Sequence, residues 1–248
     1  LEIAERCLTF APRDGLAHFY AGHARMLLDK DFAAAHAHIQ ATLQYTPEDL
    51  NAVTCDWRIR IAQGHSLDVL PEVRAILAKH PHQTALQLWA LLALQAAGDV
   101  RGSFALHESF VNENSNFRDH ALFALQLATL GRVGEGIAYL EGAKPGQPPE
   151  APYSRAIWAY LIGRNGRLTP ALEALEAAIP VLEATDPILP RNVLELTCWA
   201  LVLEAAGDRV QADRRHRQAF GVGAKWAWLN ARQLFDDFAR LEATYRRL

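Results

Sequence analysis

The chain has 248 residues, of which 50% are hydrophobic and 21% are charged, and its net charge at pH 7 is −3. This small net charge excludes the broad positive field with which many proteins bind nucleic acids or anionic membranes. No run of about 18 uncharged apolar residues occurs, so the sequence predicts no membrane-spanning helix.

Cys7, Cys55 and Cys198 lie far apart without a Cys-x-x-Cys pair. This spacing favours free thiols in a reducing cytoplasm, with a periplasmic chain of unpaired cysteines as the alternative.

The first residues already follow a helical pattern. Residues 1–12 are interpreted as the second helix of a helix pair whose first half is absent from the sequence. No signal-peptide pattern precedes them, and the abrupt start at Leu1 suggests a fragment or a processed chain.

From residue 12 onward, turn residues recur at an almost constant interval. Three prolines each follow an apolar helix-like run, and they are spaced by 35 and 34 residues, at Pro12, Pro47 and Pro81. Three turn glycines are spaced by 34 and 33 residues, at Gly64, Gly98 and Gly131. A fixed period of about 34 residues with two helix-like runs per period predicts a stacked array of helix pairs.

This period divides residues 1–220 into a half repeat at 1–12 and six units. The units span about 14–47, 48–81, 82–115, 116–149, 150–187 and 188–220. The interval from Gly166 to Gly207 is 41 residues, so an insertion near Pro187 leaves the register of the sixth unit open. Residues 221–248 depart from the pattern and are predicted to form C-terminal capping helices, because the end of a repeat array must be covered.

The repeat resembles the tetratricopeptide repeat (TPR) family over roughly the first 220 residues. The matching positions are the turn glycines, the closing prolines and small residues of the second helices, such as Ala35 and Ala105. The resemblance implies an all-α fold, a right-handed α-α superhelical solenoid of about six helix pairs with a C-terminal capping segment. The Trp–Leu–Gly–Tyr set of the family's first helix is degraded in every unit, which leaves a related array of degenerate helix pairs as an alternative.

Ten histidines raise the question of a metal site. The rings of His36 and His38 point about 200° apart on a helix, and His18 and His23 also diverge. Metal ligation needs converging side chains, so these histidines are predicted to be structural or at the surface, and no metal or other cofactor is expected.

Motifs for catalysis and for phosphate binding are also weak. The glycines between Gly131 and Gly136 occur where the period requires a turn between helices and follow no strand, which favours a turn over a phosphate site. No Gly-x-Ser-x-Gly motif occurs, and we expect no enzymatic activity. An enzyme would instead require a closed polar pocket that joins two reactive groups.

The basic run from Arg209 to Arg217 is interpreted as a solvated helix face rather than a nucleic-acid site.

Successive first helices of such an array line a concave groove, which is predicted to bind a peptide or protein segment. The groove residues would offer aromatic anchors, amides and two arginines, and for Trp89 and Phe123 a place in the core between helices is an equal alternative. The candidate residues are Tyr20, Asn51, Thr54, Arg58, Trp89, Gln95, Phe123, Gln126, Tyr153, Tyr160 and Arg164.

Two further readings stay open. The segment from Trp228 to Leu248 is similar to the closing segment of some repeat domains fused to transcription regulators or cyclases, which suggests a sensor or regulatory module of a larger bacterial-type regulator. The apolar helix at residues 1–12 could also pair with a second copy and form a homodimer.

Overall fold

The computed structural model of the chain describes residues 1–29, 31–112, 115, 117–142, 144–184 and 193–222. These residues form thirteen α-helices and one short π-helix, and none of them forms a strand. No helix in this part of the chain combines the length and the apolar character that crossing a membrane requires.

Short connections join most of these helices. In chain order they are α1 (Glu2–Phe10), α2 (Gly15–Ala24), the π-helix (Arg25–Asp29), α3 (Phe32–Tyr45), α4 (Leu50–Ala62), α5 (Ser66–Lys79), α6 (Thr84–Ala96), α7 (Val100–Phe110), α8 (Phe117–Thr129), α9 (Val133–Glu141), α10 (Pro152–Arg164), α11 (Leu168–Ala184), α12 (Val193–Ala205) and α13 (Arg209–Val222). Each of the six predicted units thus contains two α-helices, and α1 lies within the predicted half repeat. The capping helices predicted at 221–248 lie outside the described residues from residue 223 onward.

Aspartates begin several of these helices. The side chains of Asp14, Asp31, Asp49 and Asp99 each accept a hydrogen bond from a backbone N–H two or three residues later. Such caps satisfy N–H groups that have no partner within the helix, typically at a gain of about 1 kcal/mol each.

The predicted turn glycines end the first helices. Gly64 has a φ angle of 93°, and the other four lie between 79° and 87°, at Gly98, Gly131, Gly166 and Gly207. This left-handed conformation is strained for any residue with a Cβ atom. In the first of these turns the N–H of His65 donates to the carbonyl of Arg60 at 2.8 Å, as in a Schellman motif. The predicted turn position is therefore confirmed at these five glycines.

The chain divides into two compact units, the first spanning Leu1–Ala97 and the second beginning at Gly98. The division falls between α6 and α7, inside the predicted unit 82–115. In the first unit, Trp57 and Phe32 are buried in the core, and in the second Trp158 and Ile157 are.

One packing pattern recurs in both units. A first helix lies against its own second helix and against the first helix of the next pair. In the first unit α4 contacts α5 and α6, and in the second unit α8 contacts α9 and α10, while α10 contacts α11 and α12. Thus α4 and α6 lie side by side in the first unit, and α8, α10 and α12 do so in the second, as stacked repeats require.

Candidate functional site

The first helices of the first unit, α2, α4 and α6, carry the candidate site. We define its first-helix surface by Tyr20 and His23 on α2, Asn51 and Arg58 on α4, and Trp89 on α6. The guanidinium carbon of Arg58 lies 4.4 Å from the centre of the Trp89 ring, which is the geometry of a cation–π contact. This contact joins α4 to α6 through side chains.

A second contact joins α2 to α4. The Nδ1 atom of His23 lies 3.9 Å from the Sγ atom of Cys55, which is buried. Burial, and then the charge of Arg58, lower the pKa of His23. Burial also raises the pKa of the Cys55 thiol to about 11, against the influence of Arg58. At neutral pH the imidazole and the thiol are therefore uncharged, and Arg58 is the cation of this cluster.

A cavity of about 480 Å³ lies beside this surface, between α1 and α2. Its lining is mostly apolar and includes Ile3, Leu16 and Tyr20, which are 81%, 60% and 58% exposed. We call it the α1–α2 cavity and define it by Ile3, Cys7, Leu16, Tyr20 and Leu27. Because large apolar side chains are seldom exposed together, such a cluster marks a surface that another molecule can cover.

Within the first unit, the predicted groove residues differ in exposure. Tyr20 and Asn51 are exposed, and Arg58 and Trp89 are half-buried against each other. Thr54 and Gln95 are buried, with 8% and 7% of their surface exposed. The Thr54 hydroxyl donates to the backbone carbonyl of Asn51 at 3.0 Å.

In the second unit, Arg164 is the one exposed residue among those predicted for the groove within the described chain. Its guanidinium lies 5.7 Å from the ring centre of Tyr160, which is itself buried. Phe123, Gln126 and Tyr153 are also buried, so their side chains contribute to packing between helices. That these eleven residues line a binding groove stays a prediction. Of the eleven, the first-helix surface defined above includes only residues that are exposed or half-buried.

The sequence analysis considered His23 only as a metal ligand and Cys55 only as a free thiol, and it did not name Ile3 or Leu16. His23 follows Tyr20 by three residues, so the two share one helix face, and this spacing could have indicated it. The exposure of Ile3 and Leu16 depends on which neighbours cover them, and hydrophobic periodicity cannot report that.

The structure also describes the surroundings of the possible metal ligands and of the glycine-rich stretch. In the part of the chain that the structure describes, no three His, Cys, Asp or Glu side chains form a group that could hold a metal ion. Gly131 ends a helix with a φ angle of 79°, and Arg132 donates its N–H to the carbonyl of Leu127. Gly131 therefore lies in a turn between helices, as predicted, while Gly134 and Gly136 lie in the helix α9 that follows.

Comparison with known proteins bears on the fold. No protein-family model and no curated protein matches the sequence. The chain is similar to the crystal structure of a tetratricopeptide repeat protein from Parabacteroides merdae, with a TM-score of 0.52 and 14% sequence identity. The likeness covers 94% of this chain and 91% of that chain. At this identity it establishes the fold alone, and the chain has the TPR-like, all-α solenoid fold that its repeat period predicts.

Proposed function

We propose that the chain is a non-catalytic protein-interaction scaffold that binds a peptide or protein segment on its first-helix surface. The observation that carries this proposal is the set of side chains linked across α2, α4 and α6, in which His23 contacts Cys55 and Arg58 contacts Trp89. Tyr20, one turn before His23 on α2, is exposed. The TPR-like fold suggests an interaction scaffold in general, and these residues indicate where a partner would contact it.

The chemistry of the surface suits a peptide. Tyrosine and tryptophan provide large contact areas at a small cost in side-chain entropy, and such residues dominate binding energy in protein interfaces. The Asn51 amide is exposed near the start of α4 and can pair with a peptide backbone. Arg58 offers a positive charge to an acidic side chain, and its stacking on Trp89 holds the guanidinium in place.

A peptide library displayed on phage, panned against the purified chain, would test the proposal. Enriched peptides would then be titrated calorimetrically against the native chain and against the Tyr20→Ala and Trp89→Ala variants. We expect each variant to weaken binding by about tenfold or more, since an aromatic anchor commonly contributes more than about 1.4 kcal/mol.

Tyr45→Ala is the matched control. Tyr45 is also exposed, at 39%, but it lies on the second helix α3. Its variant should bind the selected peptides as the native chain does, and circular dichroism should show the same helix content for every variant. Equal binding by the native chain and both surface variants would remove the first-helix surface as the site.

A further inference from the structure

We propose that a cavity between α9 and α10 binds the guanidinium group of an arginine side chain in a partner protein. This inference concerns the second unit and goes beyond the first-helix surface, with which it shares no residue. The cavity has a volume of about 560 Å³, within the range of sites that hold small ligands. We call it the α9–α10 cavity and define it by six lining residues: His120 of α8, Tyr139 and Glu141 of α9, Lys144 and Pro149 of the connection, and Ser154 of α10.

Glu141 is the residue that indicates a cationic ligand. Its side chain is half-buried, and its Oε1 atom accepts a hydrogen bond from the indole Nε1–H of Trp158 at 3.1 Å. None of the ion pairs in the part of the chain that the structure describes includes Glu141. A carboxylate can accept about four hydrogen bonds, so the indole leaves most of this capacity unused. A cation that carries N–H groups would therefore complete the surroundings of Glu141.

The other charges of the lining compensate each other. The Nζ atom of Lys144 lies 3.5 Å from the Oε1 atom of Glu150, and both side chains are exposed. Burial raises the pKa of Tyr139, so its phenol stays protonated and adds no charge at neutral pH. Glu141 therefore gives the cavity an excess of negative charge, which favours a cationic ligand over an anionic one.

The uncharged part of the lining favours a guanidinium over an ammonium. The hydroxyl oxygen of Tyr139 lies 2.5 Å from the Nδ1 atom of His120, and whichever of the two groups donates, the phenol oxygen keeps a lone pair for a further N–H. Tyr139, Pro148 and Pro149 also contribute flat apolar rings to the lining. A guanidinium is planar, stacks on aromatic faces and donates several N–H groups in one plane, whereas an ammonium is a compact point charge.

Hydrogen bonds within the chain hold the wall of the α9–α10 cavity in place. Arg155 of α10 donates from Nε to the carbonyl of Pro149 at 2.9 Å and from Nη2 to the carbonyl of Glu150 at 3.1 Å. At the other end of the connection, the backbone N–H of Lys144 donates to the carbonyl of Glu141 at 3.0 Å. A preformed site loses little conformational entropy when it binds, which suits a single anchoring side chain of a partner.

Three capped amino acids would test this inference on the native chain: acetyl-arginine methylamide and its lysine and citrulline analogues. Citrulline has the shape of arginine without the charge. The reporter is the indole N–H signal of Trp158 in a heteronuclear magnetic resonance spectrum, because this group contacts Glu141. At pH 7.5, above the ordinary pKa of histidine, the arginine compound should shift the signal saturably, with a Kd on the order of 1 mM. The citrulline compound should bind about tenfold more weakly or less, with the lysine compound in between.

Charge-removing variants locate the site. Glu141→Gln keeps an acceptor for the Trp158 indole but removes the charge, so it should weaken the arginine compound by about tenfold or more. Glu135→Gln is the matched control, since Glu135 lies on the same helix, outside the cavity lining, and pairs with Arg132. This control should change binding less than about twofold. Lys144→Gln should not weaken binding, because it removes a positive charge from the lining.

The remaining outcomes overturn the inference. Equal binding of the citrulline and arginine compounds, or unchanged binding by Glu141→Gln, would show that the cavity does not select a cation. Loss of binding in Lys144→Gln would indicate an anion site. Tighter binding of free arginine than of the capped compound would assign the cavity to a free amino acid instead of a partner protein. Trp89→Ala should leave the arginine compound bound while it weakens the library peptides, so failure of the two proposals can be told apart.

Discussion

The Nδ1 atom of His18 lies 3.0 Å from the Nδ1 atom of His38, and this hydrogen bond joins α2 to α3. The Nε2 atom of His18 lies 3.1 Å from the backbone carbonyl oxygen of Pro12. Because a carbonyl oxygen only accepts, Nε2 of His18 carries the proton, and its Nδ1 accepts from the Nδ1–H of His38 in the neutral pair. The sequence analysis did not predict this hydrogen bond, because it compared His38 only with His36 and His18 only with His23.

This pair should make the stability of the first unit depend on pH. Burial, then the facing His18 and Arg25, lower the pKa of His38, while Glu5 acts in the opposite direction. As the pH falls, a histidine in the unfolded chain, with a pKa near 6.5, takes up a proton before His38 in the folded chain does. The contribution of His38 to the free energy of unfolding is therefore complete above pH 6.5 and is lost as the pH falls below it. Urea unfolding between pH 7.5 and 5 should therefore give a free energy of unfolding that decreases with acidification.

The His38→Gln variant tests the assignment, because glutamine keeps a hydrogen-bonding group and does not titrate. Its free energy of unfolding should depend less steeply on pH than that of the native chain. His80→Gln, in the turn after α5, makes the same exchange away from this pair and is the matched control. An equal slope for the His38→Gln variant and the native chain would contradict the role given to His38.

A second histidine should act in the same direction in the second unit. His107 is fully buried, and its Nδ1–H donates to the Oε1 atom of Gln126 at 2.8 Å. Burial lowers the pKa of His107 from 6.5 to about 4, although the bond to Gln126 opposes this shift. The unfolded chain again binds the proton first. Protonation at His107 should therefore lower the free energy of unfolding by on the order of 3 kcal/mol as the pH falls from 6.5 to 4.

Nuclear magnetic resonance of the His107 ring would measure this pKa directly. Replacing the hydrogen-bond acceptor in Gln126→Leu should lower the pKa further, because the amide oxygen favours the protonated ring. A titration midpoint near 6.5 in the folded native chain would show that the ring is not buried as described.

The sequence predicted the fold well because the fold depends on local signals. Turn residues and hydrophobic periodicity each act within a few residues, and the interval of about 34 residues between the turns fixes the helix pairs. The candidate site was harder to predict. Tyr160 and Phe123 are aromatic residues of the kind that line binding grooves, but both are buried between helices. Whether an aromatic residue faces solvent or a neighbouring repeat depends on packing between units of different sequence, and periodicity within one helix does not encode this.

Asp56 should contribute strongly to the stability of the first unit. Only 3% of its surface is exposed, and its Oδ1 atom accepts from Gln40 at 2.7 Å and lies 3.1 Å from Nε2 of His36. Its Oδ2 atom accepts from Arg60 at 3.2 Å. Asp56→Ala would remove a buried carboxylate from these partners and should lower the free energy of unfolding by about 2–4 kcal/mol in urea titrations.

Glu72 provides the control for that substitution. It also pairs with Arg60, at 2.7 Å, but 47% of its side chain is exposed. Because water screens an exposed ion pair, Glu72→Ala should cost less than about 1 kcal/mol. If the two variants lost the same stability, burial of Asp56 would not be the cause.

Two glycines on α9 give the sharpest test of packing in the second unit. A Cβ atom added at Gly136 would lie 2.6 Å from the backbone carbonyl oxygen of Ala124 on α8, which cannot move without shifting the helix. A Cβ atom added at Gly134 would meet nothing within 4 Å. Gly136→Ala should therefore destabilise the chain by about 1–3 kcal/mol, because the two helices must separate to admit the methyl group.

Gly134→Ala should have the opposite sign. Alanine favours the helix over glycine, so this variant should gain up to about 1 kcal/mol in the same urea titrations. The pair keeps the chemical change constant and varies only the distance to α8. Equal effects at both positions would mean that helix propensity, rather than the close approach of α9 to α8, determines the outcome.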